Sequence, residues 1–251
     1  MSFSYLRKAF RSVLPSKTEA AMNALFGRRS LGWVKLPQKP EFINGKIFQG
    51  QSISLPWFTY PAIAQLLRWN LKDQVVVEYG SGSSTKFFYE QGCKLVVSRE
   101  DNQEWFEFVK ASIPSSDRLD YKLTMGKGDY VFSPLPLAEI NPSIISIDGS
   151  HRADCAQECF EWIKATSVQD SPAIIILDNS DWFGKSYSIL ASLEEYLPID
   201  FYGYGPYNSY AWCTTLFVNK GSSSSEMIFS GSKNPATPMM NGLLGNHSTE
   251  K

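Results

Sequence analysis

Val75-Val76-Val77-Glu78-Tyr79-Gly80-Ser81-Gly82-Ser83-Ser84-Thr85 decides the fold of this 251-residue chain. Three consecutive β-branched apolar residues read as a strand buried on both faces. The strand ends in a carboxylate and runs at once into a turn holding two glycines. Ser83, Ser84 and Thr85 can cap a helix that continues through Lys86-Phe87-Phe88-Tyr89-Glu90. Strand, Gly-rich turn and helix make the ligand-cradling corner of a doubly wound α/β sheet. A missing Cβ there lets a ligand approach the backbone.

Outward from that corner, strands alternate with helices. Pro56-Trp57-Phe58-Thr59-Tyr60-Pro61 precedes a helix through Ile63, Leu66, Leu67 and Trp69. Downstream, strands are predicted over 94–98, 119–124, 144–148 and 173–178, with helices over 104–111, 153–166 and 185–196. Two last strands fall near 199–202 and 211–218. The alternation predicts a doubly wound, mostly parallel sheet with helices on both faces. The link between the last two strands is too short for a helical crossover, so the last strand should be antiparallel. From about Asn219 onward, the run Ser222–Ser225 and scattered Gly, Pro and Asn predict a disordered tail. The expected organisation is a basic helical leader over 1–45, one folded domain over 46–219 and a tail over 220–251.

Composition is globular, 43% hydrophobic and 20% charged, and a net charge of −1 gives no basis for a nucleic-acid partner. No apolar run approaches the ~20 residues needed to span a bilayer. Arg7, Lys8 and Arg11 interrupt the early apolar residues, so no signal peptide is expected and the expected location is cytoplasmic. Residues 1–40 hold eight basic side chains against the single acid Glu19. Phe3, Leu6, Phe10 and Leu14 recur there at helical spacing. Two readings stand: a weak interfacial helix for an anionic membrane surface, or a solvated or frayed segment beside the domain. Cys93, Cys155, Cys159 and Cys213 form no C-x-x-C pair and read as buried free thiols.

In open α/β sheets, ligands bind beyond the carboxyl ends of the strands. Glu78 ends the first strand. Glu100 follows 22 residues later, near the spacing at which an acid grips a ribose diol, with Asp101 as the neighbouring alternative. Asp148 ends the fourth strand, and Asp178 with Asn179 ends the fifth. Neighbouring parallel strands would bring those three together as an oxygen-only set suited to Mg²⁺ or Ca²⁺. His151, the one histidine outside the tail, has an unperturbed pKa near ~6.5 and could take a proton at neutral pH. Its plain alternative is a helix cap. Trp57, Tyr60, Trp182, Phe183, Tyr204, Tyr207 and Trp212 lie near loops on the same side and could wall a small planar or sugar substrate.

The turn also speaks about the cofactor. Gly80-x-Gly82-x-x-Thr85 lacks the third glycine of the dinucleotide fingerprint, and an acid before the turn would repel a pyrophosphate. Both points count against a nicotinamide-dependent oxidoreductase. A non-catalytic cofactor-binding protein is the other alternative.

The E-x-G-x-G-x-S-T pattern at 78–85 resembles motif I of class I S-adenosylmethionine-dependent methyltransferases. The strand count resembles their seven-stranded sheet. Ile147-Asp148-Gly149-Ser150-His151 and Leu177-Asp178-Asn179 resemble the strand ends of the cation-dependent, catechol-type O-methyltransferases. The resemblance covers roughly residues 55–218. It implies that Glu78, Gly80, Gly82, Ser83, Ser84, Thr85, Glu100 and Asp148 surround S-adenosylmethionine. It further implies that Asp148, Asp178 and Asn179 hold Mg²⁺, and that His151, with Asp148, serves O-methylation of a small hydroxylated acceptor. The chain departs from the family before its fifth strand, where Val168-Gln169-Asp170-Ser171-Pro172 replaces a Lys-Pro-Gly-Gly turn, and at His151, where the family carries lysine.

Overall fold

The computed structural model describes residues 54–131, 137–206, 208 and 210–230. The expectations for the basic leader, for Tyr207 and for the chain beyond residue 230 lie outside the described residues.

Helix α1 (Tyr60–Arg68) begins with Pro61 in its first turn and buries Ala62, Ile63 and Leu66. Then follow β1 (Val75–Tyr79), α2 (Ser83–Glu90), β2 (Leu95–Glu100), α3 (Gln103–Ser112) and β3 (Leu119–Leu123). Two short helices that the sequence pattern did not signal, α4 (Lys127–Val131) and α5 (Leu137–Ile140), lead to β4 (Ile144–Ile147). Next come α6 (Arg152–Lys164), β5 (Ile174–Asp178), α7 (Gly184–Ala191), β6 (Leu197–Gly203), β7 (Trp212–Val218) and α8 (Ser225–Phe229).

The seven strands form one sheet in the order β3-β2-β1-β4-β5-β7-β6. β1 to β5 pair in parallel, and β7 runs antiparallel to both β5 and β6. Alternate residues of the strands feed two cores, as the two-residue pleat requires. Val76, Val96, Ile144, Ile174 and Leu216 pack on one face with α1 and α2. Val77, Val97, Ile145, Ile175 and Phe217 pack on the other, with Cys155, Ala156, Cys159 and Ile163 of α6. All four cysteines are buried free thiols, as their spacing suggested.

The expected boundary at 219 is corrected by α8. Ile228 is fully buried, its carbonyl accepts the Asn70 amide at 2.8 Å, and Phe229 meets Trp69 edge-on at 5.1 Å. The serine run thus leads into a short apolar helix that closes the α1 face, and the described domain extends to residue 230. Among the described residues, no helix is long and apolar enough to cross a membrane.

Register is what positions the site. Tyr79 stands level with Arg99 on β2 and Ile147 on β4, and Ile147 stands level with Leu177 on β5. The next residue of each strand therefore emerges at one height: Gly80, Glu100, Asp148 and Asp178. Glu78 lies two residues further back, level with Ser98 and Ser146.

Candidate functional site

A cleft of about 430 Å³ opens at that height, within the ~300–1,000 Å³ usual for small-molecule sites. Its floor is Gly80, Ser81, Glu100, Asp148 and Asp178, and Trp57, Trp105, Trp182 and Tyr210 stand around it. A hydrogen bond from Ser150 to Asp101 (3.1 Å) ties the loop after β4 to the loop after β2. Gly80 has φ +95°, and a Cβ on it would lie 2.4 Å from the Gly149 Cα. Its glycine identity thus serves the close passage of two backbone loops. A Cβ on Gly82, expected beside the cofactor, would meet nothing closer than Trp105 at 3.7 Å, and the residue does not line the cleft.

Every amide of the glycine turn is already engaged. The Gly80 N–H donates to the Arg99 carbonyl (2.9 Å), Ser81 N–H to Glu100 Oε2 (3.1 Å) and Gly82 N–H to Thr85 Oγ1 (3.0 Å). Ser83, Ser84 and Thr85 open α2 and line no part of the cleft; Ser84 and Thr85 are buried. Their placement corrects the expectation that they face a cofactor.

Glu78 is corrected for the reason its register gives. It is fully buried behind the turn and does not line the cleft. Its Oε2 accepts from Thr85 (2.5 Å) and Ser98 (2.8 Å), while Oε1 has no hydrogen-bond partner. Burial pushes its pKa from 4.5 to about 7, against the pull of those hydroxyls. Glu100 lines the cleft. Its Oε2 accepts both the amide and the hydroxyl of Ser81, and Oε1 accepts the amides of Asp101 and Asn102. The Ser81 hydroxyl has a second partner in Tyr121 Oη at 2.7 Å.

The structure does bring Asp148, Asp178 and Asn179 together, but around the guanidinium of Arg152. Arg152 Nη2 sits 3.1 Å from Asp148 Oδ1, and Nη1 donates to Asn179 Oδ1 at 3.1 Å and to the Asp178 carbonyl at 2.5 Å. Asp178 Oδ1 also accepts from Trp212 (2.9 Å) and Thr214 (2.5 Å) on β7. Among the described residues no group of three or more His, Cys, Asp or Glu side chains is placed to hold a metal ion. A divalent cation does not fit this donor set, because its central position belongs to Arg152. Burial raises Asp148 to about 6, with Arg152 pulling down and Glu100 pushing up. Burial also raises Asp178 well above the usual carboxylate range, and the facing Asp148 charge adds to this.

His151 does not line the cleft. It is the N-cap of α6, in the left-handed conformation at φ 52°, exposed, with its ring 5.9 Å from that of Tyr130. The next residue, Arg152, is the one that lines the cleft. Of the aromatics named from sequence, Trp57 and Trp182 line it, whereas Tyr60, Phe183, Tyr204 and Trp212 do not. Phe183 instead lies under the Arg152 guanidinium at 4.3 Å. Trp105, Tyr210, Ser81 and Arg152 were missed.

The chain is similar in structure to an O-methyltransferase of Bacillus cereus in complex with SAH (TM-score 0.44, 15% identity, covering 86% of this chain and 97% of that one). It is also similar to a precorrin-6y C5,15-methyltransferase of Geobacter metallireducens (0.43, 14%, 70% and 96%). A third likeness is to a methyltransferase-like protein of Silicibacter pomeroyi (0.43, 17%, 75% and 98%). No protein-family model and no curated protein matches the sequence. The seven-stranded sheet with its antiparallel last strand is the doubly wound, mostly parallel sheet that the sequence pattern predicts.

Proposed function

We propose that the chain is an S-adenosylmethionine-dependent methyltransferase acting on an oxygen of a small hydroxylated acceptor, of sugar or natural-product type. The observation that carries this reading is the pairing of an acid-lined cleft with a glycine turn that offers no free amide. Among the described residues, Glu100, Asp101, Asp148 and Asp178 line the cleft against the one cation Arg152, and this surplus of acids suits a cationic ligand. The Gly80, Ser81 and Gly82 amides, which would cradle a pyrophosphate, are spent on Arg99, Glu100 and Thr85. A dinucleotide would meet repulsion without compensation.

When bound, adenosylmethionine supplies an electrophilic methyl group on a sulfonium. Glu100 would hold the ribose hydroxyls: when the Ser81 hydroxyl turns to Tyr121, Oε2 keeps the Ser81 amide and gains room for another donor. Trp105, tied to the turn through Nε1 to the Ser81 carbonyl (2.8 Å), forms an aromatic side to that end of the cleft. Asp148 is the group placed to take the acceptor's proton. It lines the cleft, and a pKa of about 6 lets it be ionised yet basic near neutral pH. Trp57, Trp182 and Tyr210 would wall the acceptor.

Calorimetric titration of the full chain with adenosylmethionine and with the oxidised and reduced nicotinamide dinucleotides tests the reading. Saturable heat is expected with adenosylmethionine alone. Tight binding of a dinucleotide, or no heat with the sulfonium, overturns it.

A further inference from the structure

We infer that Arg152 is a tethered cation that takes the place of a divalent metal between the ends of β4 and β5. The inference stands on the geometry of this cluster and is independent of the cofactor assignment. A guanidinium has five N–H donors, and all five have partners here. Nε donates to the Gly149 carbonyl (2.9 Å). Nη1 donates to the Asp178 carbonyl and Asn179 Oδ1, and Nη2 to the Asp148 carbonyl (2.6 Å) and Asp148 Oδ1. One face of the group is covered by the Phe183 ring, and the side chain is only 10% exposed.

The set of acceptors is the kind a hard cation would recruit: a carboxylate, an amide oxygen and three carbonyls. A metal could enter only by displacing the guanidinium, leaving a buried charge without partners, or by standing beside it as a like charge. Both are unfavourable. Arginine keeps its charge at any ordinary pH, so the compensation of Asp148 and Asp178 is permanent and needs no ion from solution. With all five donors turned to the protein, Arg152 acts as a positioning residue that fixes Asp148 and joins the two loops.

Manganese alone is the probe, titrated into the full chain and followed by electron paramagnetic resonance and by the shift in melting temperature. The native chain is expected to show no saturable site and no metal-dependent rise in melting temperature. Arg152→Ala should gain a site on the order of tenfold tighter or more, lost again in the Arg152→Ala/Asp148→Asn double variant. Arg152→Met, which keeps the stem on Phe183, makes the same test if the alanine variant does not fold. A saturable manganese site in the native chain that Asp148→Asn removes would overturn the inference. So would a folded Arg152 variant that binds manganese no better than the native chain.

Discussion

Two strand ends of this protein look alike in sequence and do opposite things. β1 and β4 are both buried apolar runs that finish at an acid, Glu78 and Asp148. Glu78 is sealed, with its neighbours all internal and one oxygen without a partner. Asp148 faces a cleft and is held by an arginine four residues on. The difference is one of register: Glu78 is the fourth residue of β1 and stays inside the sheet, whereas Asp148 is the first residue past β4. An acid at a strand end acquires chemistry only when the pairing of its neighbours carries it over the rim.

The largest effect should separate Asp148 from its neighbour in sequence. Asp148→Asn is expected to lower methyl transfer by on the order of 10²–10⁴-fold at neutral pH, the usual worth of a general base. His151→Ala should leave it within about twofold, since its side chain is exposed and lies outside the cleft lining. On the proposed reading, the rate of the native chain should rise with pH through about 6 as Asp148 ionises. The reverse ranking of the two variants would make His151 the base and leave Asp148 no more catalytic than Glu78.

Next in size is the turn that keeps Glu78 sealed. Gly80→Ala would place a Cβ 2.4 Å from the Gly149 Cα, backbone against backbone, at a positive φ. A loss of about 3 kcal/mol or more is expected from strain and overpacking together, read by urea or thermal unfolding. A wild-type melting temperature would mean that the β1 and β4 loops do not pass so closely.

The smallest expected effect sharpens the comparison through pH. The pKa of Glu78 is raised from 4.5 to about 7, so between those values the folded state binds more protons than the unfolded one. Its contribution to stability is therefore fully present below about 4.5 and is lost as pH rises through about 7, by roughly 3 kcal/mol. Glu78→Gln should remove that decline, making the variant more stable than the native chain at pH 8. An unchanged slope in denaturation curves from pH 4.5 to 8 would show that Glu78 is solvated.

The mostly parallel sheet and its antiparallel last strand were legible because β-branched runs and helical spacing alternate clearly along the chain. Glu100, Asp148 and Asp178 were legible because each ends a strand. The register that hides Glu78 was not, since pairing depends on residues far apart in sequence. Arg152 was overlooked beside His151, although its spacing of four from Asp148 is an ordinary ion-pair spacing. The left-handed turn at His151, which precedes the arginine that lines the cleft, has no sequence mark beyond Gly149-Ser150 before it. Trp105 and Tyr210 carried no signal because an aromatic near a loop is as often packing as pocket. The helix at 225–229 was masked by its serines, while Met227-Ile228-Phe229 was the clue to it.

β7 enters the sheet between β5 and β6, yet it is made after both. Until residue 218 has been synthesised, β5 offers one side of Ile174-Ile175-Ile176-Leu177 with its peptide groups unpaired. A run of that kind is a template for strands of other molecules. The nascent polypeptide, rather than the finished fold, is thus the form with most to gain from a chaperone, and overexpression at low temperature should favour its recovery.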